Sequence, residues 1–207
     1  MTRTFFTDRR PHDGLDYDAY LAHMAQRAAT PVDGLDADEA ERIGYTKLNL
    51  HRSQRIDRTY APSTAATDLL ERIAAPQLWM VLTEPWCGDS AQCLPYVAAL
   101  ARRCPAVDLR ILTRDDNLDI MDLYLTGGSR SIPRLVVFDA DGNELAGWGP
   151  RPAAAQAVFD TAKAEGLDKP ELLERLHLWY GRDRGRAVEA ELIDMLAGLL
   201  DRAEPSP

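Results

Sequence analysis

The chain has 207 residues, a formal net charge of −9 at pH 7 and a composition ordinary for a soluble globular protein. Its length suits one well-buried domain with extra elements. The acidic balance argues against nucleic acid or an anionic membrane as the main partner, because both favour clustered Lys and Arg. No apolar run approaches the ~18 residues of a membrane span, and the N-terminal residues lack the apolar stretch of a secretory signal. We therefore expect a cytoplasmic protein.

The cysteines and histidines argue against a disulfide scaffold and against a zinc site. Cys87, Cys93 and Cys104, without a signal peptide, are typical of reduced thiols in a reducing compartment. The four histidines are dispersed along the chain, and no second cysteine pair accompanies them. We therefore predict neither a metal nor another cofactor.

The first residues are predicted to form a loose arm followed by a helix. Residues 1–14 contain proline, glycine and several charges without periodicity, which indicates a loosely held arm. Residues 15–28 place Tyr17, Tyr20 and Met24 on one helical stripe, which needs an apolar partner to cover it.

A second helix is predicted to begin after Asp36 and to end near residue 55. Asp36 and Glu39 have the spacing of a capping box, and Gly44 is expected to break the helix in two. One face of this helix is basic, which is typical of a solvated face. The alternative is a basic lip that holds an acidic substrate group over a thiol site. The basic residues are Lys47, His51, Arg52, Arg55 and Arg58.

Between residues 62 and 166, apolar runs of strand length alternate with helical patterns. This order predicts an α/β fold, a mixed sheet with helices on both faces. The predicted elements are a helix over 65–75 capped by Ser63 or Thr64, strand 78–83, helix 87–103 kinked at Pro95, strand 107–113, a helix from Asp116 to Tyr124 or Leu125, strands 135–139 and 144–149 joined by a turn at Asp141-Gly142-Asn143, and helix 152–166.

The C-terminal part is predicted to add two helices to this unit. Pro170 opens a helix over 171–180, and a longer one runs from Arg184 or Arg186 to about residue 200. Residues 204–207 are expected to be disordered. We divide the chain into a helical N-terminal extension (1–61), a core (62–166) and a C-terminal helical extension (167–207), packed as one structural unit. Four residues are expected only to pack these helices on the core: Trp148, His177, Trp179 and Tyr180.

Cys87 has the position of a nucleophile. It stands where an apolar strand stops at Pro85-Trp86 and a helical pattern begins. The unpaired amides and the macrodipole of a helix N-terminus favour a thiolate, the form that attacks disulfides. We therefore expect the pKa of Cys87 to lie below its usual ~8.5, with Asp89 opposing that shift.

Three stretches carry a resemblance to a known family. They are Trp86-Cys87-Gly88-Asp89-Ser90 followed by Pro95, Arg130-Ser131-Ile132-Pro133 before a strand, and residues 138–145 followed by Gly149. In this order they resemble the active-site turn, the cis-proline segment and the last hairpin of the thioredoxin superfamily. The resemblance covers roughly residues 62–165 and implies a thioredoxin-like mixed sheet, here with helical N- and C-terminal extensions.

The resemblance also implies roles for the site residues. Ser90 stands where dithiol members carry their second cysteine; it can stabilise a thiolate but cannot displace a bound thiol, which implies a monothiol route. Ile132 and a cis Pro133 would position the substrate backbone, with Trp86, Gly88 and Asp89 beside the sulfur. A buried acid found in many thioredoxins is replaced by Val81, which leaves proton transfer to solvent or to Glu84.

Cys93 is the alternative resolving cysteine. Six residues of helix rise ~9 Å, beyond the ~7 Å over which two Cα atoms can be bridged by a disulfide. We therefore expect Cys93 to be a buried packing residue. A thiol peroxidase that uses Cys87 and Cys93 is kept as a third possibility.

The function predicted from the sequence is thiol–disulfide exchange through Cys87 by a monothiol mechanism. Its substrates would be protein or small-molecule disulfides, and an external thiol or a reductase would recycle the enzyme. The alternative is a non-catalytic binding module or chaperone-like protein on the same scaffold. Neither nucleic acid nor a membrane is an expected partner.

Overall fold

The computed structural model describes residues 3–203 of the chain. Along the chain, helices come before, between and after the four strands. In chain order the elements are α1 (Thr4–Thr7), α2 (Tyr17–Ala28), α3 (Ala37–Thr59), α4 (Thr64–Glu71), β1 (Gln77–Thr83), α5 (Gly88–Ala101), β2 (Val107–Thr113), α6 (Leu118–Met121), β3 (Arg134–Asp139), β4 (Glu144–Trp148), α7 (Ala153–Ala164), α8 (Lys169–Asp183) and α9 (Arg186–Ala203).

The four strands form a mixed sheet, as predicted, and their order in the sheet is β2-β1-β3-β4. β1 is parallel to β2 and antiparallel to β3, and β4 is antiparallel to β3. β1 is buried along its whole length. Because successive side chains of a strand point to opposite faces, Trp79 and Val81 join one core while Met80 and Leu82 join the other.

Helices cover both faces of the sheet, which confirms the predicted arrangement. The core that contains Trp79 takes side chains from α2, α4, α5, α8 and α9. The core that contains Met80 takes side chains from α1 and α6 and includes Cys87. Cys87 therefore lies at the edge of a packed core rather than on an open surface.

The segment before α2 is not the loose arm that its sequence indicates. Phe5 and Phe6 of α1 are each 7% exposed and pack against Phe138 of β3. Leu15 pairs with Ile111 at the edge of the sheet. Two adjacent aromatic residues in a polar stretch show neither the helical nor the strand period, so the sequence pattern could not predict that Phe5 and Phe6 are buried.

α3 is longer and more regular than predicted. Asp36 caps it by accepting a hydrogen bond from the Glu39 amide, while the Glu39 side chain forms an ion pair with Arg27 of α2. The break expected at Gly44 is wrong, since α3 continues to Thr59. A glycine in a helix interior costs only about 1 kcal/mol, and α3 packs on both α2 and α5.

The helix predicted to start at Asp116 is the main error in the core. α6 spans only Leu118–Met121. The Asp116 carboxylate accepts a hydrogen bond from the Thr113 hydroxyl at 2.6 Å instead of capping a helix. Ile120 and Met121 are fully buried, so the short helix serves to fill the core beside β1.

The remaining helices and strands are confirmed with shifts at their ends. α4 is capped by Ser63, as predicted, but ends at Glu71. α8 begins at Lys169 behind a capping box and continues to Asp183, beyond its predicted end. Residues 204–207, predicted to be disordered, lie outside the described residues, as do residues 1–2.

Candidate active site

Cys87 lies between β1 and α5, where it is the N-cap residue of α5. Its thiol donates a hydrogen bond to the Ile132 carbonyl at 3.4 Å, and the residue is 8% exposed. The Ile132–Pro133 peptide bond is cis, as the resemblance implies. The fold therefore brings together two predicted segments that are 45 positions apart in the sequence.

Ser90 faces Cys87 from the first turn of α5. Its hydroxyl oxygen accepts a hydrogen bond from the Thr83 hydroxyl at 2.6 Å, and both residues are buried. Since a hydroxyl carries a single hydrogen, Ser90 can direct that hydrogen to the sulfur of Cys87, where its hydrogen bond favours the thiolate. Thr83, at the end of β1, is a site residue that the sequence analysis missed.

Burial raises the pKa of the Cys87 thiol to about 11. The Asp89 carboxylate adds to this rise, whereas hydrogen bonds from the Ser90 hydroxyl and from the first amides of α5 oppose it. The predicted lowering is therefore wrong. The N-terminus of a helix stabilises a thiolate by about 1 kcal/mol. This is less than the free-energy cost of burying the charged sulfur. The resting Cys87 thiol is therefore protonated at neutral pH.

Asp89 belongs to a buried ion pair that the sequence did not reveal. Its carboxylate accepts two hydrogen bonds from the Arg151 guanidinium, at 2.5 and 3.1 Å, and one from the Tyr180 hydroxyl at 2.7 Å. The Asp89 and Arg151 side chains are 10% and 14% exposed. Both carboxylate oxygens thus have protein donors, and these hydrogen bonds connect α5 to the turn before α7 and to α8.

Cys93 is a buried packing residue, as predicted. It is 0% exposed, its sulfur lies 3.8 Å from the Tyr180 hydroxyl, and burial raises its pKa well above the usual value. Cys87, Cys93 and Cys104 are all free thiols. The alternative, a thiol peroxidase that bridges Cys87 and Cys93, stays untested.

α3 covers the turn that contains Cys87. The amide of Asn49, a residue that is 0% exposed, donates a hydrogen bond to the Pro85 carbonyl at 3.1 Å. One turn later, Arg52 donates to the Asn49 side-chain oxygen at 2.9 Å and is only partly exposed. The other predicted basic residues are exposed, as a solvated face requires: Lys47, His51, Arg55 and Arg58.

α8 covers the first turn of α5. Nε2 of His177 lies 2.8 Å from the point that a Cβ would occupy on Gly88, and the Gln92 amide donates to His177 Nδ1 at 3.3 Å. Burial, with the nearby charge of Arg52, lowers the pKa of His177 to about 4, so the ring is neutral at pH 7. His177 and Tyr180 were predicted only to pack the C-terminal helices on the core, yet both contact α5, the helix that Cys87 caps.

Trp86 and Glu84 have protein partners on the other side of the turn. The Trp86 ring is half-buried, and the guanidinium groups of Arg42 and Arg114 lie 5.3 and 5.0 Å from its centre. The ring is therefore less exposed than the sequence analysis predicted. Burial raises the pKa of Glu84, whose carboxylate accepts a hydrogen bond from the Asp115 amide at 2.7 Å. Glu84 thereby fixes the loop after β2.

A family model described as thioredoxin matches residues 36–163, more than half of the chain. The match includes α3, the Cys87 turn and the cis-proline segment, and it ends within α7. The chain belongs to this thioredoxin family. α8 and α9 lie beyond the matched region, so Tyr180 and His177 bring contacts to the thioredoxin-like site from outside it. No curated protein sequence matches the chain.

Two solved structures resemble the protein over most of its length. The crystal structure of a protein of unknown function from Pseudomonas aeruginosa has a TM-score of 0.60 and 21% identity, and the alignment covers 91% of this chain and 95% of that one. The crystal structure of an HIV epitope-scaffold has a TM-score of 0.56 and 23% identity, with 90% and 94% covered. At these identities the likeness shows the thioredoxin-like fold alone.

Residues 3–203 were searched for metal-binding groups of side chains and for membrane-spanning helices. No three His, Cys, Asp or Glu side chains in this range are grouped so that they could hold a metal ion. None of the helices in the same range is long and apolar enough to cross a membrane. The expectation that the protein uses neither metal nor cofactor stays a prediction.

Proposed function

We propose that this thioredoxin-like protein exchanges disulfides through Cys87 by a monothiol route. The observation that supports it best is the 3.4 Å contact between the Cys87 sulfur and the Ile132 carbonyl, beside the cis peptide of Pro133. A substrate segment that pairs with the Ile132 backbone would bring its own sulfur to Cys87. Ser90 in place of a second cysteine favours the monothiol route over a dithiol one.

The proposed reaction has two exchange steps. The Cys87 thiolate attacks one sulfur of a substrate disulfide, so that a new S–S bond to Cys87 forms as the substrate bond breaks, and the departing thiolate takes a proton from solvent. An external thiolate then attacks the bound substrate sulfur. This step releases Cys87 as a thiolate and leaves the external thiol in a new disulfide with the substrate fragment.

Ser90 acts in both steps through the same hydrogen. Its oxygen is held by Thr83, so its hydroxyl points at the sulfur whenever Cys87 carries negative charge. The first amides of α5 add to this stabilisation. The raised pKa limits the reaction at neutral pH, because only the small thiolate fraction reacts.

Replacing Cys87 with Ser is expected to abolish exchange. The assay follows exchange between bis(2-hydroxyethyl) disulfide and an excess of a small thiol, at several protein concentrations. The matched control is Cys104→Ser, because Cys104 is also buried but its sulfur faces the Ile73 carbonyl in the core. We expect Cys104→Ser to keep the activity and Cys87→Ser to fall to the rate without protein. Equal rates for both variants and the parent protein would contradict the proposal.

A second candidate function is a non-catalytic binding module that uses the same groove. The 8% exposure of Cys87 and its pKa of about 11 favour it, since both reduce the reactivity of the thiol. The Cys87→Ser experiment separates the candidates. Loss of exchange supports the enzyme, whereas a parent protein without exchange activity supports the binding module.

A further inference from the structure

Two groups of Asp89 act on the Cys87 sulfur in opposite directions. Asp89 lies in the first turn of α5, two positions after Cys87, and its amide favours the thiolate by hydrogen bonding. Its carboxylate disfavours the thiolate, because two negative charges close together repel each other. The reactivity of Cys87 therefore depends on how well the Asp89 charge is neutralised.

Arg151 neutralises this carboxylate and is itself held in place by α7. Its guanidinium donates hydrogen bonds to one Asp89 oxygen at 2.5 and 3.1 Å and to the Gln156 side-chain oxygen at 2.9 Å. The guanidinium carbon lies 4.5 Å from the centre of the Phe159 ring. Tyr180 donates to the second Asp89 oxygen. Both charged groups are thus fixed by protein contacts, and solvent screens them poorly because their side chains are only 10% and 14% exposed.

Five other titratable side chains face the Cys87 turn. They are Tyr20 of α2, Cys93 of α5, His177 of α8, Arg52 of α3 and Glu84 at the end of β1. Burial keeps the first three neutral at pH 7, because it raises the pKa of the phenol and of the thiol and lowers the pKa of the imidazole. The last two have hydrogen-bond partners of their own. Arg151, by contrast, is a cation that interacts electrostatically with both Asp89 and Cys87.

We propose that Arg151 is a positioning residue for the reaction at Cys87: it neutralises the Asp89 carboxylate, so that the thiolate forms beside a paired negative charge instead of a free one. The inference rests on the proposed exchange function and deepens it, because it names a residue that controls the nucleophile through Asp89. The ion pair then has a second role besides linking α5 to the turn before α7.

The test compares the rate at which neutral iodoacetamide alkylates Cys87 at pH 8, read peptide by peptide by mass spectrometry. The pKa of Cys87, about 11, lies well above pH 8, so the rate follows the thiolate fraction. We expect Arg151→Met to lower the rate about tenfold, because one nearby charge shifts a pKa by about one unit or more. Asp89→Asn should raise the rate by a similar factor. Loosened packing alone would raise the rate in both variants.

Arg151→Lys is the matched control, since it shortens the hydrogen-bonding group but keeps the positive charge. We expect it to react faster than Arg151→Met and close to the parent protein. The double variant Asp89→Asn with Arg151→Met should also recover the rate, because it removes both charges. Equal rates for Arg151→Met and Arg151→Lys would overturn the inference, as would a faster rate in Arg151→Met than in the parent.

Two further readouts keep the inference falsifiable if Arg151→Met folds poorly. Cys104, a core thiol that is 2% exposed, reports opening of the whole fold, so the Cys87 rate is divided by the Cys104 rate in each variant. The pH profile of Asp89→Asn should bend below pH 10.5, whereas that of the parent stays linear. A faster rate in Asp89→Asn without this bend would mean greater exposure and would overturn the inference.

Alkylation needs no disulfide substrate, so this test stands apart from the exchange assay. If exchange is absent but the variants show the expected order of alkylation rates, Arg151 controls the acidity of Cys87 and only the proposed exchange function fails. If exchange is present but all variants are alkylated at the parent rate, the role of Arg151 fails and exchange at Cys87 remains.

Discussion

Replacing Arg151 with Met is expected to lower the free energy of unfolding by about 3–5 kcal/mol, the usual cost of removing one partner of a buried ion pair. Asp89 and Arg151 are 10% and 14% exposed, so solvent screens the remaining carboxylate poorly. Met keeps most of the volume but none of the donors, which leaves Asp89 with the Tyr180 hydroxyl alone. Urea unfolding at pH 7 measures the loss.

Two controls define what the Arg151 result means. Arg130→Met breaks the pair between Arg130 and Asp122, whose side chains are 46% and 47% exposed, and should cost far less than Arg151→Met because solvent screens that pair. The double variant Asp89→Asn with Arg151→Met should recover much of the loss, because no buried charge remains without a partner. If Arg151→Met costs no more than Arg130→Met, the ion pair beside Cys87 does not stabilise the fold.

Replacing Gly149 with Ala is expected to cost about 3 kcal/mol or more, because it combines backbone strain with a steric clash. Gly149 has φ +111°, and an added Cβ would lie 2.3 Å from the Pro133 carbonyl oxygen. Relief of that clash requires the segment that contacts Cys87 to move. We therefore expect the exchange activity to fall together with the free energy of unfolding, both measured on the same preparation.

Gly34 provides the control for backbone strain alone. It has φ +84°, and nothing lies within 4 Å of an added Cβ. Gly34→Ala should therefore cost about 1–2 kcal/mol and leave exchange unchanged. Equal losses of stability in both variants would mean that the close approach of Gly149 to Pro133 does not constrain the site.

The sheet and most helices were predictable because their signals are local. The apolar run of β1 and the capping residues Asp36 and Ser63 depend on neighbours within a few positions. Phe5 and Phe6 were missed because their burial depends on Phe138, far along the chain. The short α6 was missed because its register follows from the burial of Ile120 and Met121 rather than from an N-cap.

The candidate site was predictable only in part, for the same reason. The meeting of Cys87 with Ile132 followed from two motifs that each have a sequence signature. Arg151 and Tyr180 are 62 and 91 positions from Asp89, and no local pattern links them to it. The pKa of Cys87 was predicted in the wrong direction because its burial depends on how the whole chain packs around the turn.

The most direct test of the account is the rate of alkylation at each cysteine as a function of pH, read by mass spectrometry on the folded protein. With a pKa of about 11, the Cys87 thiolate fraction should rise nearly tenfold per pH unit between about pH 7 and 9. We predict that Cys87 is alkylated with this slope and faster than Cys93 or Cys104 at every pH. Alkylation of Cys87 no faster than that of Cys93 would contradict the claim that Cys87 is the reactive thiol.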